Sequence, residues 1–415
     1  MKKMMLFDGE YIEIFKPIHM ILYKSEDTSR FSGSLLVPYG SNMEDYLVDG
    51  KKLPFGTAHF LEHMLFTYKN KDISMFFSRL GATCNASTYH NCTTFYFDGL
   101  KEHALECVSL LFDMFFHAKI YKRRIRMENY IISREIKDDL TDPFIRLSKY
   151  VDREIYDDLA LGHNISGDFK DIDAINYEIL LLAYNAFYTK DKVTFLAAGA
   201  FDLDEILNFV HHYEYPEPLN IKIRKKKVDV NISKRIDIEA FKPIPYDIFH
   251  KEYVVDIKDL EPFKDKLFIY KNFFSYLFEF SSFLINGIEE GIIDEDLTLS
   301  IECDDRYYYL AIEGSLLNED TLSYVDNLLK KPSKYVSEEE KICFIRGYYC
   351  SGLKATIYPH DILNKISFSY GEGVDPYPYL STYQEFDLDD FFAFLKVINN
   401  SKKTMRVIWR SYDRD

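Results

Sequence analysis

The stretch GTAHFLEHMLF, Gly56–Phe66, sets two histidines four residues apart in an otherwise apolar run, with a glutamate directly before the second. At about 100° per residue, Phe60, Leu61, Met64 and Leu65 share one arc of a helix, while His59, Glu62, His63 and Phe66 share the other. Pro54, Gly56 and Thr57 supply a turn and an N-cap, so the helix is expected to begin here. Imidazoles at i and i+4 project from successive turns of one face and can reach a single tetrahedral ion. Glu62 lies on the same arc but cannot share the ion in that way; it is better placed to hold an ion-bound water and act as general base. The plain alternative is a solvated polar face with two incidental histidines. Two imidazoles leave zinc short of a protein ligand, so the metal reading demands a third donor elsewhere in the chain.

YKRRIRMENYIISREIKDDL, Tyr121–Leu140, offers one. Ile125, Ile131, Ile132 and Ile136 define an apolar arc from which Glu128 and Glu135 project, and a carboxylate on a buried face requires a cation or several hydrogen bonds. Arg124, at i−4, can pair with Glu128. Ile131, Ile132, Asp138 and Asp139 surround Glu135, so its partner is expected from another element. A zinc ion held by His59 and His63 would serve, which makes Glu135 the third ligand and Glu128 an accompanying electrostatic group on the same face. A distant Lys or Arg is the alternative partner.

The rest of the chain bounds these readings. With 415 residues, 47% hydrophobic and 28% charged, it can bury a core and is too long for one compact unit. A formal net charge of −16 argues against nucleic acid as a partner. The one dense basic run, KIRKKK (Lys222–Lys227), reads as a solvated linker. The six cysteines include no C-x-x-C pair, so free thiols in a reducing cytosol are expected. Asp8, Glu10 and Glu13 interrupt the N-terminus before any sustained apolar core, so no signal peptide is read there. No apolar run approaches the ~18 residues of a membrane span, and a cytoplasmic location follows as an expectation.

SGSLLVPYG (Ser32–Gly40) and TTFYFDGL (Thr93–Leu100) have strand character, while His103–Ala118 and Tyr121–Leu140 carry helical spacing. KVTFLAAGAFD (Lys192–Asp202) reads as a buried strand closing the first half. The second half repeats the mix, with helices from Phe263 to Glu290, strands within Leu297–Gly314 and a closing strand TMRVIWRSY, Thr404–Tyr412. The fold class predicted is α+β: two similar domains, each a mostly antiparallel sheet covered by helices. The expected division is 1–212, a linker at 213–229 and 230–415.

H-x-x-E-H is the inverzincin signature, and HFLEHMLF followed 72 residues after His63 by the last glutamate of ENYIISRE resembles the pitrilysin family of zinc peptidases. That family includes insulin-degrading enzyme, mitochondrial processing peptidase and many bacterial processing proteases. GATCNASTYHNCTTFYF resembles the family's strand after the zinc helix, and the segment from Leu161 to Asp202 resembles the one closing its first domain. The resemblance implies zinc held by His59, His63 and Glu135, with Glu62 as general base and Glu128 as the accompanying catalytic glutamate. It also implies that Asn85, with Ala86 beside it, stands on a sheet edge where extended substrate adds as a strand. Active members carry an arginine and a tyrosine seven apart in the second half. Here the best-matching stretch, NGIEEGIIDED (Asn286–Asp296), puts Gly287 and Asp294 at those positions.

The implied activity is zinc-dependent endoproteolysis of short unstructured or precursor peptides. The chain resembles the metal-bearing subunit of a heterodimer whose partner supplies the arginine–tyrosine pair, with a homodimer as the alternative assembly. A silent peptide-binding or scaffold subunit is the rival from another class. A cysteine hydrolase finds little support, because Cys84 and Cys92 have only His90 nearby and no orienting acid. The Tyr-, Lys- and Ile-rich composition fits an AT-rich bacterial genome.

Overall fold

Runs that alternate apolar and polar residues become strands with one face on a core, and runs buried on both faces lose the alternation. Both kinds occur in the computed structural model, which describes residues 1–26, 28–156, 159–225, 236–303, 307–371, 375–377 and 383–412. The chain divides into two units: residues 1–138, 156–229 and 349–380 form the first, and 139–155, 230–348 and 381–415 the second.

The first unit holds a seven-stranded sheet in the order β1-β2-β3-β11-β4-β10-β9. Its strands are β1 (Lys2–Leu6), β2 (Gly9–Ile14), β3 (His19–Lys24), β4 (Arg30–Val37), β9 (Thr83–Thr88), β10 (Thr93–Leu100) and β11 (Thr194–Gly199). Two-residue strands make small ribbons: β5 (Leu47–Val48), β6 (Lys51–Lys52) and β12 (Ile223–Arg224), and separately β7 (Thr67–Tyr68) with β8 (Lys71–Asp72). The helices are α1 (Thr57–Leu65), α2 (Ser74–Arg79), α3 (Ala104–Phe116), α4 (Lys122–Asp139, ending at the boundary), α6 (Phe169–Ala174), α7 (Tyr177–Phe187), α8 (Leu203–His212) and α13 (Pro359–Gly371). Phe31, Leu35, Phe95, Phe97 and Phe195 on one sheet face pack with Phe60, Leu61, Phe77, Phe112 and Phe115 from the helices into one core. α13 lies against β4, β11 and β10, with Ile362, Leu363 and Ile366 buried. All six residues of β11 are buried, which explains its unbroken apolar sequence.

The second unit holds a five-stranded sheet, β13-β17-β14-β16-β15, from β13 (Ile236–Lys242), β14 (Ile248–Asp256), β15 (Thr298–Cys303), β16 (Tyr307–Ser315) and β17 (Lys403–Ser411). Leu147 and Val151 of α5 (Pro143–Tyr156) pack with Ile248, Val407 and Trp409. Aromatic rings knit α9 (Leu267–Leu277) to α14 (Leu388–Asn399): Phe273 and Phe391 stand 4.9 Å apart, and Tyr270 and Phe394 5.3 Å. α10 (Ser282–Glu289) and α11 (Asp320–Lys330) complete its helices, and α12 (Glu338–Ile357) belongs to it up to Tyr348.

The predicted class is the observed one, and the pairings show the two sheets to be variations on one plan. In each, a strand late in the unit pairs in parallel with an early strand, β11 with β3 and β17 with β13. Each late strand is antiparallel on its other side to a strand that begins the run β4-β10-β9 or β14-β16-β15. The division differs from the one read from composition. The change of unit after Asp229 falls at the end of the expected linker, but 139–155 and 349–380 are exchanged, so neither unit is one stretch of chain. Composition marks where a chain is solvated, and an exchanged helix is as apolar as any other. Part of the basic run is strand rather than loop, since Ile223 and Arg224 pair with Val48 and Leu47; Lys226 and Lys227 lie outside the described residues.

Candidate metal centre

α1 begins at Thr57 behind Gly56, whose φ of +83° is open to glycine and strained for other residues. A Cβ on Gly56 would stand 2.4 Å from the Ser166 carbonyl oxygen, so the loop carrying Gly167 presses directly on the helix start. No side chain of the helix's own N-cap satisfies its first N–H groups. Glu44 does so from outside: one carboxylate oxygen accepts from Gly56 N at 2.8 Å and the other from Ala58 N at 2.9 Å. Glu44 is completely buried. Burial drives its carboxyl up, and the N–H groups of Ala58 and Gly56 draw it back.

Phe60, Leu61, Met64 and Leu65 of α1 enter the core, and the opposite arc carries the polar groups, as the spacing predicts. The His59 and His63 rings meet edge to face with centroids 4.7 Å apart. His59 is held neutral, its pKa lowered to about 3 by burial and by His63. Neutral imidazole is the ligating form. Its Nδ1 is buried with no hydrogen-bond partner among the described residues. His63 divides its nitrogens: Nε2 lies 3.6 Å from Glu135 Oε2, and Nδ1 lies 3.5 Å from Glu128 Oε2. Burial opposes protonation of His63, but the carboxylates of Glu128, Glu135 and Glu62 outweigh it and raise its pKa.

One ligand atom each from His59, His63 and Glu135 lies within 4.8 Å of the others. Donors about 2.1 Å from a tetrahedral ion are separated by about 3.4 Å, close to the 3.6 Å between His63 and Glu135. The donor set and its spacing therefore fit zinc. Glu128 stands outside that set. It is 3% exposed, and Arg124 binds it at 2.8 Å, the intrahelical pair that the i−4 spacing predicts. Despite burial, the His63 and Arg124 contacts hold its carboxyl below the usual range. Glu135 corrects one premise: its side chain is 46% exposed rather than buried, because it sits at the open rim of the arc that Ile132 and Ile136 bury.

Glu62 is 8% exposed and accepts a hydrogen bond from Thr88 Oγ1 at 2.7 Å. Burial raises its pKa, against the pull of Thr88 and His63. Thr88 belongs to β9, which ends the sheet and has one edge unpaired within it. Asn85 and Ala86 lie on this strand: Asn85 is exposed, with its Oδ1 accepting from Ala86 N, while Ala86 turns into the core. Cys84 lies on the same strand, and burial raises its thiol to about 12, out of range for a nucleophile at neutral pH. Gly287, which the family resemblance sets at the position of the arginine, is buried on α10. A Cβ there would meet Ile293 at 2.6 Å and Tyr324 at 2.9 Å, so a longer side chain would require those two to shift. Glu44 and Thr88 escaped the sequence reading because neither sits in a periodic pattern around the motif.

Residues 20–168 match the family model described as Insulinase (Peptidase family M16). The zinc protease YmfH of Bacillus subtilis, itself described as uncharacterized, is 25% identical over 344 residues, 79% of each chain. Mitochondrial-processing peptidase subunit beta of Bos taurus is 30% identical over 156 residues, 37% of this chain and 32% of that protein. In structure, an M16-like peptidase from Alicyclobacillus acidocaldarius superposes with a TM-score of 0.82 over 98% of this chain and 99% of its own, at 19% identity, a likeness of fold. Residues 20–168 thus carry a domain of peptidase family M16, the insulinase and pitrilysin family, and the likeness of fold extends over both units.

Proposed function

We propose that this chain is a zinc-dependent endopeptidase acting on short unstructured or precursor peptides. The observation that carries the reading is the meeting of His59, His63 and Glu135, from helices 72 positions apart in the chain, around one point beside the buried Glu62. His59, His63 and Glu135 would hold the zinc, which when bound would supply a water of lowered pKa and a Lewis acid for the scissile carbonyl. Glu62, adjacent to His63, takes a proton from the attacking water and returns it to the leaving amine. Glu128 holds His63 from its Nδ1 side and leaves Nε2 directed at Glu135. Asn85 and Ala86 stand on the strand whose free edge offers backbone N–H and C=O groups to an extended peptide.

The chain acts as the metal-bearing member of a two-chain enzyme, in a reducing compartment such as the cytoplasm. The packed Gly287 supports a partner that supplies the arginine–tyrosine pair, and the exposed thiols of Cys343 and Cys350 suit the compartment. No described helix is long and apolar enough to cross a membrane.

Glu62→Gln tests the reading. The variant should retain one zinc per chain by elemental analysis and lose cleavage of a quenched-fluorescence peptide by about 10²–10⁴-fold. Glu135→Gln should lose the zinc itself. Cleavage by the Glu62 variant at the parent rate would end the proposal, and an absence of zinc from the parent would favour a silent peptide-binding subunit.

A further inference from the structure

Thr88 Oγ1 donates to Glu62 Oε2 at 2.7 Å, and among the described residues this is the hydrogen bond that the Glu62 side chain makes. One carboxylate oxygen is thus committed and the other left available. The donor's own surroundings reinforce its direction. Thr93, directly opposite Thr88 in the β9–β10 register, is fully buried and gives its proton to the Tyr39 carbonyl at 2.8 Å. Its hydroxyl oxygen lies 3.5 Å from that of Thr88, too long for a strong bond. The carboxylate oxygen can only accept and lies nearer than the Thr93 oxygen, 2.7 Å against 3.5 Å, so the single proton of Thr88 goes to the carboxylate. A threonine in a strand also has restricted χ1, so the hydroxyl is aimed by the backbone and not by a flexible linker.

Glu62 stands on α1 and Thr88 on β9, so this bond joins the metal helix to the edge strand. We propose that Thr88 is a positioning residue for Glu62: it fixes the rotamer of the general base and ties that rotamer to the strand on which an extended peptide docks. The proposal rests on Glu62 being the base in the peptidase reading. Peptide pairing with β9 stiffens the strand that holds Thr88, so the base is best aligned when substrate is in place.

The test compares Thr88→Val, which keeps the branched shape and strand preference but removes the hydroxyl, with Thr88→Ser, which keeps the hydroxyl. Thr88→Val should bind zinc as the parent does, keep its KM and lose about 10–100-fold in kcat. Crystals of the zinc-loaded variant should show the Glu62 carboxylate rotated from its parental position. Thr88→Ser should recover kcat to within about threefold of the parent and restore the carboxylate. Parental kcat in Thr88→Val with Glu62 unmoved would overturn the proposal, as would a Ser variant as slow as the Val variant, which would assign Thr88 to packing. An inert parent would defeat the peptidase reading instead, and the crystallographic comparison would still decide whether Thr88 sets the Glu62 rotamer.

Discussion

Gly56 and Glu44 act on the same few ångströms of backbone, the first turn of α1, where four N–H groups have no partner within the helix. Gly56→Ala would force a Cβ into the left-handed region and against the Ser166 carbonyl. It should lower the free energy of unfolding by about 1–3 kcal/mol in urea titrations, and weaken zinc binding because the helix start must shift. Glu44→Ala leaves two buried N–H groups without an acceptor and should cost about 2–3 kcal/mol by the same measurement. A loss under about 0.5 kcal/mol would show that water replaces the carboxylate. The site itself was legible in the sequence to the extent that its residues sit on helical periodicity: two histidines and a glutamate on one arc, then a glutamate without a local cation. Glu44 and Thr88 were not legible, because their roles depend on a turn and a strand being folded onto α1 from distant sequence.

A strand places i and i+2 on one face, and in β14 those positions are His250 and Glu252. Glu313 stands opposite His250 in the β14–β16 register, so two carboxylates flank one imidazole that is 2% exposed. Burial works against its charge, yet bonds to Glu252 and Glu313 prevail and raise its pKa from 6.5 to about 10. Asp152 on α5 is a neighbour whose own carboxyl is driven up by burial and by Glu252 and drawn back by His250. Since the folded pKa exceeds the unfolded one, the imidazolium's contribution is fully present below about pH 6.5 and is lost as pH rises through about 10. Denaturant midpoints should therefore fall across that window, and His250→Gln should flatten the fall while lowering stability below it. An unchanged slope in the variant would refute the assignment. Such cross-strand polar groups were invisible in sequence, whereas the strands were not: Thr93–Leu100 and the closing strand near Thr404 announce themselves by β-branched and aromatic content. The paired edge strands of the first sheet at the N-terminus carry lysine and glutamate and offered no such signal.

Across the whole molecule, the two sheets share a connection plan that no visible repeat in the sequence discloses, because strand order depends on pairing and burial and tolerates wide changes in side chain. The exchanged segments were equally hidden, since nothing local distinguishes a helix that returns to an earlier sheet. The first unit lacks a cover for the second face of β4 and β11 until residues 349–380 arrive. A fragment comprising residues 1–229 should thus expose that face, bind a hydrophobic dye and show weak near-ultraviolet dichroism, while adding back 349–380 through a linker should restore sharp unfolding. A fragment that unfolds as sharply as the full chain would show that α13 is dispensable. The same arrangement governs biosynthesis. At about 5–20 residues per second, the ribosome needs roughly 8–30 s to pass from the end of the first sheet's strands to the helix that seals them. For that interval the nascent chain leaves Leu36, Leu196 and Ala198, set among Ser32, Ser34 and Thr194, without their cover, so trigger-type holdases are predicted to engage it, and metal capture should lag behind synthesis of the histidine helix.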